Sequence, residues 1–280
     1  MQTLHASSFK GVAPCRGVFT DIDDTLTTEG AITPDALQAL HDLKAAGLAV
    51  IAITGRPIGW SAPFAYGDTA RGLEPWPVDA IVAENGSAAL FLQKNTAMSP
   101  SNGHSTLSKI YQQDAATRVQ NYTQMQAVVQ RVLREVPGAQ VAQDSAGRET
   151  DVAIDHSEFT HLAPENIAQV VQIMQTNGMK ATVSSIHING WFGDHNKLVG
   201  AQWIVRELFG RDLKAEMPRW VFIGDSTNDE LMFEAFPHSV GVANIARFVP
   251  QLAHKPRYVT QGARGAGFAQ MVQALLASSG

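Results

Sequence analysis

Hydrophobic positions follow two rhythms along this chain. Gly17 to Asp23 is a β-rich run that ends in acid, which reads as a strand. Thr33-Pro34 then opens a stretch in which Leu37, Leu40 and Leu43 recur at helical spacing. Thr33 is placed to cap that helix and Pro34 suits its first position, where a missing N–H costs nothing. Gly47 suits a left-handed stop. Ala49 to Ile53 is continuously apolar up to Thr54-Gly55-Arg56, as expected of a strand buried on both faces of a parallel sheet. The alternation recurs: Asp79 to Ala83, Trp220 to Gly224, Ser239 to Val242 and Arg257 to Thr260 read as strands, and Asn228 to Phe236 and Phe268 to Leu276 as helices. Strands alternating with helices predict an α/β fold, a doubly wound parallel sheet with right-handed crossovers. Ligands of such sheets sit beyond the carboxyl ends of the strands.

Between the two halves the pattern changes. Lys94 to Lys109 is polar and reads as a loop. Tyr122, Met125, Val129, Val132, Leu133 and Val136 repeat at helical spacing, as do Ile167, Val170, Val171 and Met174 before Asn177-Gly178. Val141 to Gln143, Asp151 to Asp155 and Ala181 to Trp191 are short strand candidates, more polar than those of the outer halves. They predict a small, largely antiparallel sheet with one face covered by the two helices. The expected organisation is a core domain from residues 1–87 and 196–280 with a smaller α/β cap inserted at 88–195. The alternative is that this region continues the main sheet.

Composition narrows the partners. A chain of 280 residues has room for about two domains, and 45% apolar with 17% charged residues is ordinary for a globular protein. The net charge of −5, without runs of like charge, argues against capture of nucleic acid or of an acidic membrane. The expected partner is a small molecule, and the expected state a monomer or small homo-oligomer. A single cysteine, Cys15, excludes an intrachain disulfide and a thiolate metal cage. The longest apolar stretch, Ala45 to Ile53, is far below a membrane span, and no apolar core follows a basic start at the N-terminus. A cytoplasmic protein is expected.

Acidic residues carry the strongest chemical signal. Asp21 and Asp23 of Asp21-Ile22-Asp23-Asp24-Thr25 are two apart at a strand end and on a strand would share one face. Gly224-Asp225-Ser226-Thr227-Asn228-Asp229 ends a second strand at the same sheet edge. Carboxylates this close raise one another's pKa unless a cation neutralises them, and oxygen ligands without a full protein cage favour Mg²⁺. A calcium loop needs glycine sixth and glutamate twelfth, yet counting from Asp21 meets Leu26 and Ile32, and from Asp225 Glu230 and Phe236. The competing reading is that the acids only serve turns and helix caps.

Asp-Ile-Asp-Asp-Thr at 21–25, Ile-Thr-Gly-Arg at 53–56, Lys197 and Gly-Asp-Ser-Thr-Asn-Asp at 224–229 resemble, in order, the four motifs of the haloacid dehalogenase superfamily of phosphatases. The insertion between the second and third motifs resembles the α/β cap of subfamily IIB, which includes Cof-type proteins, sucrose phosphatase, mannosyl-3-phosphoglycerate phosphatase and phosphomannomutase. The resemblance implies that Asp21 is a nucleophile forming an aspartyl phosphate, and that Asp23 is the general acid and base whose backbone carbonyl also meets Mg²⁺. It implies that Thr54 and the Gly55 backbone bind the phosphoryl oxygens and that Lys197 neutralises them. Asp225 would complete the metal shell, with Asn228 and Asp229 supporting substrate and metal, and the Arg56 guanidinium is a candidate for a substrate oxygen pair.

The cap is expected to decide the substrate. In Ser185-Ile186-His187-Ile188-Asn189-Gly190-Trp191, alternation puts His187, Asn189 and Trp191 on one face and both isoleucines on the other. With the isoleucines toward the cap helices, the polar face would offer hydrogen bonds and an aromatic platform suited to a sugar; otherwise it is a plain solvent face. Arg148, Glu149 and Asn85-Gly86 are further candidates. His156 and His161, five apart, are not spaced for a metal on one helical face, and no phosphate-cradling glycine motif of the P-loop or dinucleotide kind is present. The expected function is a Mg²⁺-dependent phosphomonoesterase for a small phosphorylated metabolite, most readily a sugar phosphate. The alternatives are a phosphosugar mutase using the same intermediate and a non-catalytic phosphometabolite sensor.

Overall fold

Continuous apolar runs become strands here because each of their faces has a helix layer to bury against. The computed structural model describes residues 1–10, 14–93 and 106–278. A nine-stranded sheet runs in the order Gln2–Thr3, Tyr258–Val259, His238–Gly241, Trp220–Gly224, Gly17–Thr20, Ala49–Ile53, Ala80–Ala83, Ala88–Gln93 and Thr106–Tyr111. The first seven pair in parallel and the last two antiparallel. Alternate residues divide between two cores. Val18, Val50, Ala52, Ile81 and Ile223 pack with the Pro34–Ala45 and Arg264–Ala277 helices. Phe19, Ile51, Ile53, Val82 and Phe222 pack with the Lys197–Phe209 and Glu230–Ala235 helices. Each of the valine, isoleucine and phenylalanine side chains among these contributes about 1.5–3 kcal/mol by leaving water. The Gly17–Thr20 strand lies between Ala49–Ile53 and Trp220–Gly224, where the winding reverses, so a crevice opens beyond their carboxyl ends.

Local expectations are modified in two places. The first strand ends at Thr20; the Asp21 N–H still donates to the Ile223 carbonyl at 2.9 Å, but the chain then turns, with Asp24 at φ 57°. Strand pleating therefore does not place Asp21 and Asp23 on one face. Thr33 precedes the first long helix in an extended conformation but makes no capping bond, and its hydroxyl has no partner. Gly47 does adopt the left-handed stop, at φ 75°.

The cap has its own antiparallel sheet, ordered Lys180–Val183, His187–Trp191, Val152–Asp155 and Gln140–Val141. The Ala115–Glu135 and Pro164–Thr176 helices bury Met125, Val129, Val132, Val170 and Met174 against Ile154 and Ile188. Tyr122 stays outside this core, 37% exposed. The single strand expected at Ala181 to Trp191 is two strands joined by a turn at residues 184–186. The boundary at residue 88 also moves. Ala88–Gln93 and Thr106–Tyr111 extend the main sheet and cover the edge that Ala80–Ala83 would otherwise leave unpaired. The separate sheet and its helices accordingly fall after Tyr111. Of the loop expected at Lys94 to Lys109, residues 94–105 lie outside the described residues, and Thr106–Lys109 are strand. No helix among the described residues is long and apolar enough to cross a membrane.

His195, where the chain returns from cap to core, stacks on Trp191 with ring centroids 5.4 Å apart. Its Nε2 is buried without a partner, and burial pulls its pKa from the ordinary 6.5 to about 4. The folded state thus binds this proton more weakly than the unfolded state. The contribution is complete above about pH 6.5 and is lost as pH falls toward 4, by about 3 kcal/mol. Between pH 6.5 and 4 the Tm of the protein is expected to fall relative to that of His195→Phe, which keeps the ring stack without the titration; calorimetry of both across that range checks it.

Candidate active site

Asp21 continues the central strand, Asp225 follows the neighbouring one, and Lys197 begins the helix that packs beneath them. Helix capping places Lys197: the Asn196 side chain accepts the Val199 N–H at 2.9 Å, and Gly86, at φ 106°, lets the Gly200 backbone approach so closely that neither position has space for a Cβ. Lys197 Nζ donates to Asp21 Oδ1 at 2.6 Å and to Asp229 Oδ1 at 2.7 Å, with Asn228 Oδ1 at 3.4 Å. Asp229 closes a capping box with Ser226. Its other oxygen accepts the N–H groups of Asp225 and Ser226 at 3.0 and 3.2 Å.

Asp21, Lys197, Asp225 and Asp229 are all buried, and one carboxylate oxygen from each of the three acids lies within 4.8 Å of the others. Burial pushes Asp21 up to about 8 against the pull of Lys197, with the Asp229 and Asp23 charges adding to it. Burial, then the charges of Asp21, Asp229 and Asp24, push Asp225 well above the usual carboxylate range. Burial opposes the Lys197 charge, but Asp21 and Asp229 more than reverse this and keep it an ammonium. Lys197 and the half-exposed Arg247 guanidinium, 3.7 Å from Asp225 Oδ2 and shared with Asp24, do not balance three buried carboxylates. Asp225 Oδ2 accepts from Asn244 Nδ2 at 3.1 Å, whereas its Oδ1 is buried with no hydrogen-bond partner. An orphaned carboxylate oxygen within an all-oxygen acidic cluster fits a hard divalent cation such as Mg²⁺.

The second group surrounds the chamber above these acids. Its free volume is about 10 Å³, room for about one water. The core wall comprises Asp21, Asp23, Thr54, Gly55, Arg56, Ser226 and Asn228, and the cap wall Ser184, Ser185, Ile186, His187 and Asn189. Asp23 does not join this carboxylate cluster; its side chain accepts from Arg56 Nε and Nη2 at 3.0–3.1 Å. Arg56 also pairs with Asp144 at 3.1 Å and Glu158 at 2.7 Å, and lies 5.0 Å from the Trp60 ring centre. His187 Nε2 meets Glu158 Oε2 at 2.7 Å. Burial raises the Glu158 carboxyl, but His187 and Arg56 together outweigh it and hold it at about 2. Cap and core are thus clasped through one guanidinium. A larger groove of about 580 Å³ between the Ile58–Tyr66 helix and the last two sheet strands brings Lys109 to mainly apolar walls and lacks convergent polar groups.

Several cap expectations change. Ile188 lies in the cap core as expected, but Ile186 falls in the turn and faces the chamber. Trp191 provides no platform there: it is buried in the cap core, with Nε1 donating to the His195 carbonyl at 3.0 Å. Asn189 lines the chamber, yet its Nδ2 is occupied by the Gly55 carbonyl and Asp151. Arg148 reaches the same carbonyl at 3.0 Å from behind the chamber. Glu149 instead pairs with Lys109 and Tyr111. Asn85, at φ 54°, lies against Gly55 with its Nδ2 unpartnered. His156 bonds Ser157 and the Ser184 carbonyl, and burial pushes the Cys15 thiol up, away from reactivity.

Sequence reasoning missed Glu158, Asp144 and Asn244. Asn244 was findable, since it follows the His238–Gly241 strand at the sheet edge that singled out Asp225. Glu158 and Asp144 are isolated acids in cap turns, with no spacing to mark them.

A model of the haloacid dehalogenase-like hydrolase family matches residues 18–272. No curated protein sequence matches. Among solved structures, a Thermoplasma acidophilum protein is similar at TM-score 0.64 and 16% identity, over 95% of this chain and 100% of that one. Sucrose-phosphatase from Synechocystis, solved with sucrose and phosphate, is similar at 0.61 and 15%, over 94% and 98%. A sugar phosphatase of haloacid dehalogenase subclass IIB is similar at 0.60 and 15%, over 94% and 99%. These structural likenesses establish the shared architecture of core and cap, and with the family match over nearly the whole length they place the chain among the haloacid dehalogenase-like hydrolases.

Proposed function

We propose that this hydrolase is a Mg²⁺-dependent phosphomonoesterase acting on a small phosphorylated metabolite, most readily a sugar phosphate, through an aspartyl phosphate on Asp21. The observation that carries the reading is the buried Lys197–Asp21 pair opening onto a chamber edged by Thr54, beside an acidic cluster with an orphaned Asp225 oxygen. The sugar phosphatases that share the fold support the substrate class.

Asp21 attacks phosphorus, the P–O bond to the leaving group breaks, and Asp23 passes its proton to the departing alkoxide. Water then attacks the phosphorus of the aspartyl phosphate, its proton returns to Asp23, and Asp21 is restored as inorganic phosphate leaves. Lys197 holds Asp21 and offers positive charge to the equatorial oxygens; Thr54 and the Gly55 N–H donate to the same oxygens. Asp21 and Asp225, with the Asp23 backbone carbonyl, would hold Mg²⁺, which when bound offsets repulsion between Asp21 and the phosphate. Asp229 acts through Lys197 and the Asp225 backbone, since both of its oxygens are engaged there. Arg56 must exchange at least one carboxylate for substrate before Asp23 can reach a leaving oxygen. His187, Glu158 and the serines of the 184–186 turn offer a sugar both acceptors and donors.

Phosphate release should be metal-dependent on a panel of sugar phosphates, nucleotides and p-nitrophenyl phosphate, stop with EDTA, and fall at least about a thousandfold in Asp21→Asn. Activity surviving that substitution would refute the nucleophile, and almost no phosphate release together with isomerisation of a sugar phosphate that needs a bisphosphate primer would indicate the mutase. Mg²⁺ at a hundred times its Kd should stabilise the protein by about 2.7 kcal/mol, seen as a rise in Tm. Asp225→Asn should abolish that rise; an equal rise in the variant would remove Asp225 from the metal shell.

A further inference from the structure

The cap contains a buried polar cluster that contacts the catalytic loop from behind, and we infer that Asp151 is a positioning residue for the Thr54–Arg56 phosphoryl-binding loop. The inference rests on the reading of that loop given above. Asp151 is fully buried. Its two oxygens accept from different donors, Arg148 Nη1 at 2.7 Å and Asn189 Nδ2 at 3.0 Å. Those same two donor atoms converge on one acceptor in the core, the Gly55 carbonyl, at 3.0 and 3.2 Å. Arg148 and Asn189 are likewise buried, 4% and 1% exposed.

A pinned carbonyl fixes a peptide plane. The Gly55 carbonyl points into the cap, so the Arg56 N–H of the same peptide points the opposite way, where it donates to Thr54 Oγ1 at 3.0 Å. The Thr54 oxygen is thereby engaged as an acceptor, and its O–H remains to donate to a phosphoryl oxygen. The Thr54 carbonyl is fixed separately by the Asn85 N–H at 3.0 Å, which turns the Gly55 N–H away from it. The loop's donors are therefore oriented by acceptors on its far side, and the cap contributes one of the two restraints.

The cluster has a firm base. Glu84, wholly buried at the end of the Ala80–Ala83 strand, accepts the N–H groups of Glu149, Thr150 and Asp151 at 2.6–3.2 Å, the Thr150 hydroxyl, and the Ile58 N–H at 3.0 Å. One core carboxylate thus holds the backbone that carries Asp151. Beside it Gly147 packs on Gly59, which has no space for a Cβ. Asp151 is absent from the chamber lining, so its effect reaches the substrate only through the groups it holds, the loop and the Asn189 side chain.

Asp151→Asn leaves one acceptor oxygen where two donors need one, and so releases one of them. Expected is a loss of about 10–100-fold in kcat/KM, equal for p-nitrophenyl phosphate and the best sugar phosphate, with weaker inhibition by inorganic phosphate. Asn189→Ser, which removes one of the two donors to Gly55 and is milder for folding, should show a smaller loss of the same uniform kind. Unchanged kinetics in both folded variants would overturn the inference, as would a loss confined to the sugar phosphate or one that vanishes below the variant's lowered Tm. Thr54→Ala is the control for the underlying reading: if it retains full activity the loop is not the phosphoryl site, whereas an inactive Thr54→Ala beside a fully active Asp151→Asn refutes only the positioning role.

Discussion

Three carboxylates share one buried ammonium at the bottom of a water-poor crevice, with only the half-exposed Arg247 guanidinium beside Asp225 to help it, and the surrounding structure is arranged around that excess of negative charge. Burying a charge without compensation costs several kcal/mol. Asp21 and Asp229 therefore share the Lys197 ammonium, and Asp229 spends its second oxygen on two backbone N–H groups. What remains uncompensated is concentrated at Asp225, whose Oδ1 has no partner. Local chain features hold this imbalance in place. The Asn196 cap and the Gly86–Gly200 contact set Lys197, the Ser226–Asp229 capping box sets the Asp225 loop, and Asn244 ties Asp225 to the carbonyl of Asp24.

The winding of the sheet converts these local features into one site. Because the central strand is flanked by one strand reached early and one reached late in the chain, residues about two hundred positions apart leave neighbouring strands side by side. The insertion interrupts the winding just before it returns, which puts a second domain over that same edge. Its contact with the core is polar and charged: Arg56 with Asp144 and Glu158, Gly55 with Arg148 and Asn189, and Glu84 with the 149–151 backbone. Such contacts are directional and desolvated, so they fix register between cap and core more strictly than an apolar seam would. The same groups close the chamber to about 10 Å³ and engage the Arg56 guanidinium with three carboxylates.

The amino-acid order alone determined the doubly wound core, the inserted cap, the two cap helices and the acids at the sheet edge. Each is written in local pattern: continuous apolar runs make buried parallel strands, a period of 3.6 makes helices, and Asp or Asn at strand ends marks the carboxyl edge. Asp21, Asp225 and Asp229 could be named for that reason, since their places follow from elements a dozen residues long, whereas Thr54 and Lys197 are named only through the resemblance to the haloacid dehalogenase motifs. Only the tertiary structure decided what depends on distant groups meeting. Ala88–Gln93 and Thr106–Tyr111 joined the main sheet because an edge strand there needed a partner. A turn in place of a continuous strand sent Ile186 to the chamber, while Trp191 went to the cap core. Glu158, Asp144 and Asp151 acquired their roles from a guanidinium and a carbonyl about a hundred residues away in sequence. No spacing rule encodes such a meeting, because the free energy that selects it is the desolvation of both partners, and that exists only once cap and core are packed together.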